Sequence, residues 1–184
     1  FFDTCYTYLN GMSEIAIRKC VVERHPRSSF LLCNKLPGYL CKSYADCQKY
    51  FDEELSRCGV EWFDILMLHW LNDDNYAIAE KYDEFRFLRE KKTEGKAKRI
   101  GFSYHGGTEM FCKLVDVYDW DFCQIQYNYL DEHSQAGRRG LHHAAGKGIP
   151  VIIMEPLRGG RLVDLLPAGA RAVFEQSGKG WTPA

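Results

Sequence analysis

Two apolar runs with an amphipathic stretch between them decide the fold class of this 184-residue chain. They are Phe63-Asp64-Ile65-Leu66-Met67-Leu68-His69, then residues 78–94, then Arg99-Ile100-Gly101-Phe102-Ser103-Tyr104. A nearly continuous apolar run, an amphipathic helix pattern and a second apolar run predict a strand–helix–strand unit of a parallel sheet. The unit repeats along the chain. Strands are expected at residues 1–4, 29–35, 63–69, 99–104, 122–127 and 150–154, with helices at 13–24, 44–58, 78–94, 108–117 and 135–147. Ser13 and Thr108 are expected N-caps, and Gly59 and Gly95 suit helix ends. Residues 72–76 and 166–180 read as the polar or Gly-rich connections.

Alternating strands and helices fit both a doubly wound sheet and a (β/α)8 barrel. A nucleotide-binding doubly wound sheet carries a Gly-rich turn after its first strand. Here that turn reads Asp3-Thr4-Cys5-Tyr6-Thr7-Tyr8, which favours the barrel. The composition agrees with one globular unit over 1–184: 46% hydrophobic and 27% charged residues. With 24 Lys plus Arg against 25 Asp plus Glu, no basic face is available for nucleic acid or for an anionic membrane. No apolar run approaches the roughly 20 residues of a membrane-spanning helix.

The chain has eight cysteines, yet its Ile, Leu, Val and Phe content is that of a cored domain rather than a disulfide scaffold. Cys33 and Cys123 lie inside apolar runs, and no CxxC pair supports a zinc ribbon. Cys41 and Cys47 read as the close, surface-like pair. A reducing, cytoplasmic setting is expected. The chain opens at Phe1 without a signal-peptide pattern, and Thr182-Pro183-Ala184 reads as a helix start; both ends look like cuts through a longer protein.

In a barrel, chemistry sits at the carboxyl ends of the strands. Asp3, Tyr8, Lys35 and His69 are titratable groups at three successive strand ends. Singly, Asp3 reads as a turn cap, Tyr8 as a packed aromatic and His69 as a satisfied core histidine. Together they suit reduction of a carbonyl. The oxygen gains charge as hydride arrives and needs a proton donor, and a phenol, with a reference pKa of about 10, needs help at neutral pH. A neighbouring ammonium stabilises phenolate, a carboxylate keeps that ammonium charged, and a histidine donates a second hydrogen bond to the oxygen.

These residues also lie in recognisable motifs. The run from Phe2-Asp3-Thr4-Cys5-Tyr6-Thr7-Tyr8 to Ser13-Glu14 resembles the D-T-A-x-x-Y motif of aldo-keto reductases. The stretch from Glu54 through Cys58, Asp64 and Leu68-His69 is similar to that family's S-L-x-x-L-x-x-D-Y-x-D…L-H pattern. Gly95-Lys96-Ala97-Lys98-Arg99-Ile100-Gly101-Phe102-Ser103 resembles G-K-x-R-x-I-G-x-S. Gln124-Ile125-Gln126-Tyr127-Asn128 and Pro156-Leu157 with Gly159-Gly160 are similar to two further family segments. The resemblance implies an α/β fold of the (β/α)8 TIM-barrel type, incomplete here and carrying strands two to seven of the barrel. It implies NADP(H) or NAD(H) as cofactor, an aldehyde or ketone substrate, and no metal. It makes Tyr8 the proton donor, Lys35 its partner, Asp3 the carboxylate behind that lysine and His69 the carbonyl-orienting group. Ser103 and Gln124 fall at the nicotinamide carboxamide, with Tyr104, Met154, Leu157 and Arg158 along the cofactor. Asp64 falls at a supporting position.

Departures from the family pattern are visible too. Tyr104 stands where many members have Asn, and Met154 where an aromatic often stacks on the nicotinamide. Tyr104-His105-Gly106-Gly107 resembles relatives that add a carboxyl-terminal ferredoxin-like iron–sulfur domain, but these residues hold no such cysteine run. Strands one and eight and the adenosine-phosphate segment after them have no counterpart, so a fragment of a longer reductase with two open, association-prone edges is expected. Two other functions stand beside the oxidoreductase: a non-catalytic, nucleotide-sensing or regulatory subunit of reductase fold, or an inactive fragment, and a metal-dependent hydrolase using His69, His105, Asp3 and Glu155. The last lacks an HxH or HExxH pattern.

Overall fold

The computed structural model describes residues 1–183 and is a single curled sheet with helices on its outer face. The six strands are β1 (Phe2–Asp3), β2 (Leu32–Leu36), β3 (Phe63–Leu71), β4 (Ala97–Tyr104), β5 (Phe122–Gln126) and β6 (Val151–Met154). They follow one another in space in chain order, every neighbouring pair parallel. Between them run α1 (Met12–Ile17, continued by a π turn at Arg18–Val22), α2 (Tyr44–Cys58), α3 (Asp73–Lys81), α4 (Glu84–Thr93), α5 (Thr108–Val117) and α6 (Gly137–Gly146). Two short helices, α7 (Arg161–Asp164) and α8 (Ala168–Gln176), follow β6. This is the six-stranded half-barrel expected from the alternating pattern.

Curvature follows from one hydrogen bond. Asp3 on β1 and Gln124 on β5 are four strands apart, about 19 Å in a flat sheet at the usual ~4.8 Å spacing. Gln124 Nε2 nevertheless donates to Asp3 Oδ2 at 3.0 Å. Strand alternation then divides the residues. Cys33, Ile65, Met67, Phe122 and Ile152 form a small apolar cluster inside the curl. Leu32, Leu66, Leu68, Phe102, Tyr104, Cys123 and Ile125 belong to the larger core under the helices. Gly101 permits β4 and β5 to close, because a Cβ there would stand 2.5 Å from the Phe122 carbonyl oxygen.

The outer core is aromatic. Phe102 lies against Trp120 (ring centroids 4.9 Å apart), Phe111 (5.8 Å) and Tyr104 (6.4 Å). Helix α2 is capped by Ser43, whose Oγ accepts from the Asp46 N–H at 3.3 Å, and ends at left-handed Gly59. Its inward stripe is Cys47, Phe51, Glu54 and Cys58. Glu54 is fully buried beside Glu14, and burial first, then Glu14, pushes its carboxyl well above the usual range. Burial alone raises Glu84 to about 7. At the base of the curl, Asp64 accepts from the Leu32 N–H at 2.9 Å, from Arg27 at 2.7 Å and from Lys98 at 3.2 Å.

Several expected details differ. Residues 78–94 are not one helix: Asp83 has φ +59° and separates α3 from α4. Residues 72–76 open α3, with Asn72 Oδ1 capping the Asn75 N–H at 2.9 Å, because three polar residues at a helix start read as loop. Ser13 is inside α1 and bonds Thr4, while left-handed Gly11 precedes the helix. Thr108 is likewise helical and donates to the Gln135 and Ala136 carbonyls, with Gly107 at the cap position. Residues 166–180 contain α8, which packs Phe174 against Tyr129. Thr182 and Pro183 are irregular, and Ala184 lies outside the described residues. Cys41 and Cys47 are buried rather than surface-like. Among the described residues no helix is long and apolar enough to cross a membrane.

Replacing Phe102 by Ala is expected to cost about 3–5 kcal/mol through lost burial and an unfilled cavity. Urea unfolding measures it. A loss under about 1 kcal/mol would show that the aromatic layer is not the main core.

Candidate active site

Lys35 sets the geometry. It is the last but one residue of a strand buried at every position, and its side chain is 2% exposed. An ammonium taken out of water needs compensation by charge and hydrogen bonds. Lys35 Nζ donates to Asp3 Oδ1, to the Thr4 carbonyl at 3.1 Å and to Tyr8 Oη at 3.3 Å. Burial alone would lower the lysine pKa; the Asp3 charge, with Cys33 and Tyr8, more than reverses this, so Lys35 stays protonated. Asp3 is held from the other side by Gln124.

Tyr8 projects from the turn after β1 with 42% of its surface exposed. Leu9, Asn10 and Gly11 follow at φ +51°, +54° and +83°. Left-handed residues in succession are costly, and this run turns the chain sharply from Tyr8 into α1. The His69 ring lies edge-on to Tyr8 with centroids 5.9 Å apart. Asp3, Tyr8, Lys35 and His69, expected to converge, therefore form one contiguous group.

A β-bulge aims His69. The β3–β4 register shifts between Leu68 and Leu71, and Trp70 takes φ +58°. The Trp70 N–H freed by the bulge donates to Ser103 Oγ at 2.8 Å. Burial first, then Lys35 and His105, pushes the His69 pKa down to about 3, so the ring is neutral near pH 7. Cys5 Sγ lies 3.2 Å from His69 Nδ1. Burial also raises the Cys5 thiol, which keeps its S–H, and the sulfur meets the Thr7 N–H at 3.4 Å and the Thr7 Oγ1 at 3.3 Å. With the Thr7 groups taken as donors to the sulfur, we assign the S–H to Nδ1 as acceptor and the ring proton to Nε2.

The sequence left Cys5, Tyr39 and Trp70 out of this group. Tyr39 is tilted over His69 at 5.8 Å and edge-on to Trp70 at 5.5 Å, and its hydroxyl meets Thr7. Cys5 stands at the alanine position of D-T-A-x-x-Y, the one departure that would have pointed to it.

Of the residues expected along a cofactor, Ser103 and Gln124 face the interior at paired positions of β4 and β5. Ser103 accepts from Trp70 and keeps its own O–H free to donate. Gln124 Oε1 is buried with no partner, an acceptor aimed at nothing in the protein. A donor and an acceptor so arranged fit a primary carboxamide. Met154 ends β6 half-buried. Arg158 adopts φ +48° and pairs with Asp131 at 3.4 Å, and Leu157 lies beside it in the same turn.

Tyr104 does not join them. Adjacent strand residues face opposite sides, so with Ser103 inside, Tyr104 is outside. It is wholly buried among Phe102 and Phe111, and its hydroxyl donates to the Gly107 carbonyl at 2.7 Å. His69, His105, Asp3 and Glu155 do not draw together as metal ligands either; among the described residues the one such group of three is Cys41, Cys47 and Glu84.

If His69 is held neutral, its ring resonances should stay at neutral-form shifts from pH 8 down to about 4 by NMR. The folded pKa lies below the unfolded value near 6.5. The unfolded chain therefore binds the extra proton, and stability should fall as pH drops from about 6.5 toward 3. A ring titrating at 6–7 in the folded protein would contradict this burial.

The sequence profile of the Aldo/keto reductase family matches residues 1–174. The chain is 28% identical over 194 aligned positions to an NADH-specific methylglyoxal reductase of Escherichia coli (strain K12), covering 92% of this chain and 57% of that protein. A crystal structure of an aldo/keto reductase from Brucella melitensis superposes with a TM-score of 0.70 at 22% identity, over 96% of this chain and 63% of the other. An aldo-keto reductase from Klebsiella pneumoniae in complex with NADPH superposes with a TM-score of 0.70 at 22% identity, over 96% and 60%. The chain thus spans less than two thirds of the length of these relatives.

Proposed function

The chain belongs to the aldo/keto reductase family, and on that premise we propose that it carries the proton-transfer half of a nicotinamide-dependent reductase of small aldehydes or ketones. One observation carries the reading: a buried, protonated Lys35 touches both the Asp3 carboxylate and the Tyr8 hydroxyl. That contact has a stability cost for which packing offers no return, and it places positive charge where a phenol gives up its proton.

Tyr8 donates its proton to the carbonyl oxygen as the alkoxide forms. Lys35 then stabilises the phenolate left behind, and Asp3 keeps Lys35 charged throughout. His69, neutral with its proton on Nε2, donates a hydrogen bond to the same oxygen and fixes its direction without releasing a proton. The exposed side of Tyr8 allows its proton to be restored from water. Ser103 and Gln124 would hold the carboxamide of the nicotinamide, which when bound supplies the hydride. The relatives named above are NADH-specific in one case and NADPH-bound in the other; we leave the choice at NADP(H) or NAD(H). Methylglyoxal is the first substrate to try. Eight free thiols agree with a reducing, cytoplasmic setting.

Tyr8→Phe in the full-length protein should leave nicotinamide binding, read by fluorescence quenching, within about twofold. It should lower kcat by roughly 10²–10⁴. Lys35→Met should lower kcat and also raise the pH above which carbonyl-reducing activity is lost. Unchanged turnover in Tyr8→Phe would remove Tyr8 from the mechanism. Binding without turnover in the unaltered protein, across aldehydes and ketones, would favour a nucleotide-sensing role.

A further inference from the structure

Outside the site described, one group of side chains has no role in carbonyl reduction and no internal explanation. Cys41 follows the turn after β2, Cys47 lies in the first turns of α2, and Glu84 is the first residue of α4. All three are buried, at 4%, 0% and 1% exposure. Their ligand atoms lie within 4.8 Å of one another. The two sulfurs are 3.7 Å apart and unbonded. Glu84 Oε1 is buried with no hydrogen-bond partner, and among the described residues no cation is paired with this carboxyl group. A buried polar group without a partner is costly whichever its protonation state. Gly38 shows how closely the chain wraps the group: a Cβ there would overlap the Glu84 carboxylate.

We propose that Cys41, Cys47 and Glu84 form a binding site for a divalent zinc-class cation. Zinc prefers thiolate, imidazole and carboxylate donors in tetrahedral array, and Zn–S bonds of about 2.3 Å set tetrahedral sulfurs about 3.8 Å apart. The observed sulfur separation of 3.7 Å matches this, and the third donor lies within 4.8 Å of both sulfurs. A shared thiol proton accounts for the sulfurs alone and leaves Glu84 unexplained, whereas a cation satisfies all three groups. On binding, two S–H bonds give way to two Zn–S bonds and the protons leave to solvent, with no change of oxidation state. A water or the second Glu84 oxygen completes the coordination.

The site would join three chain segments that the sheet does not tie together. It would fix the Gly38–Leu40 turn, and with it Tyr39 against His69. The role assigned is structural, and it does not rest on the reductase reading. Cys-x5-Cys with a glutamate 37 residues on follows no ligand pattern, so the spacing gave no warning.

The test uses the full-length protein, reduced, stripped with a chelator, supplied with zinc sulfate and passed through a desalting column. One zinc per chain is expected, and cobalt(II) in its place should show thiolate-to-metal charge-transfer absorption with tetrahedral ligand-field bands. Cys47→Ala should abolish retention, and Glu84→Gln, which keeps the shape, should weaken zinc binding by roughly 10–100-fold. If Cys47→Ala fails to fold, Glu84→Gln and Cys41→Ser carry the comparison. Retention unchanged in Glu84→Gln and in either cysteine variant overturns the proposal. So does a Cys41–Cys47 disulfide in protein isolated under reducing conditions, or no retained zinc in the unaltered chain.

Discussion

The ion pair between Lys35 and Asp3 ties architecture to chemistry. An ammonium buried to 2% exposure is tolerated only with a carboxylate against it. The carboxylate comes from the neighbouring strand, and its other oxygen is taken by Gln124 from the far side of the curl. The sheet must bend for that triad to exist. Once bent, its inner face has room for little besides Cys33, Ile65, Met67, Phe122 and Ile152 below the polar layer. The same contacts that satisfy the charge thus set the radius of the half-barrel at its chemical end. At the opposite end Asp64 works without chemistry, collecting the Leu32 N–H, Arg27 and Lys98.

Strand alternation decides who can reach that layer. Lys35, Met67, Gly101 and Phe122 are successive partners across the sheet, and residues one step along in the chain belong to the helix side. His69 needs a further device, because β3 carries one residue more than β4 between the pairs Leu68–Phe102 and Leu71–Tyr104. The bulge at Trp70 supplies it, with Ser103 taking the stranded N–H. Ser103 therefore serves the protein and keeps a donor for a ligand.

The strand positions and Asp3, Tyr8, Lys35 and His69 were legible because both signals are local. Apolar runs mark strands, and strand ends mark the rim. What failed was set by tertiary context. Ser103 and Tyr104 were read as a pair along the cofactor, although a period of two forbids two neighbours from facing the same side. The break at Asp83 carries no Gly or Pro, and its left-handed turn is imposed by packing α3 and α4 on different parts of the sheet. Ser13 and Thr108 have the right chemistry for caps, but Gly11 and Gly107 already turn the backbone one or two residues earlier. Lys91 lies within the charged run Arg89–Glu94, yet it is buried, its Nζ standing over the Phe51 and Phe87 rings and paired with Glu94. Cys5 carried no signal of its own in the sequence, and only its distance to His69 Nδ1 brings it into the site.

Lys35 and His69 share one desolvated region and are pushed to opposite protonation states. Burial disfavours charge on both. Lys35 escapes because Asp3 neutralises it, and the cation so retained then adds to the penalty on His69. A second cation beside the first would need a second carboxylate, and none is supplied. The outcome is a division of labour that follows from electrostatics alone: one group fixed as a charge, the other fixed as a neutral donor. Cys5 completes it, accepting from the Thr7 N–H and lying 3.2 Å from His69 Nδ1, the contact that leaves the ring proton to Nε2.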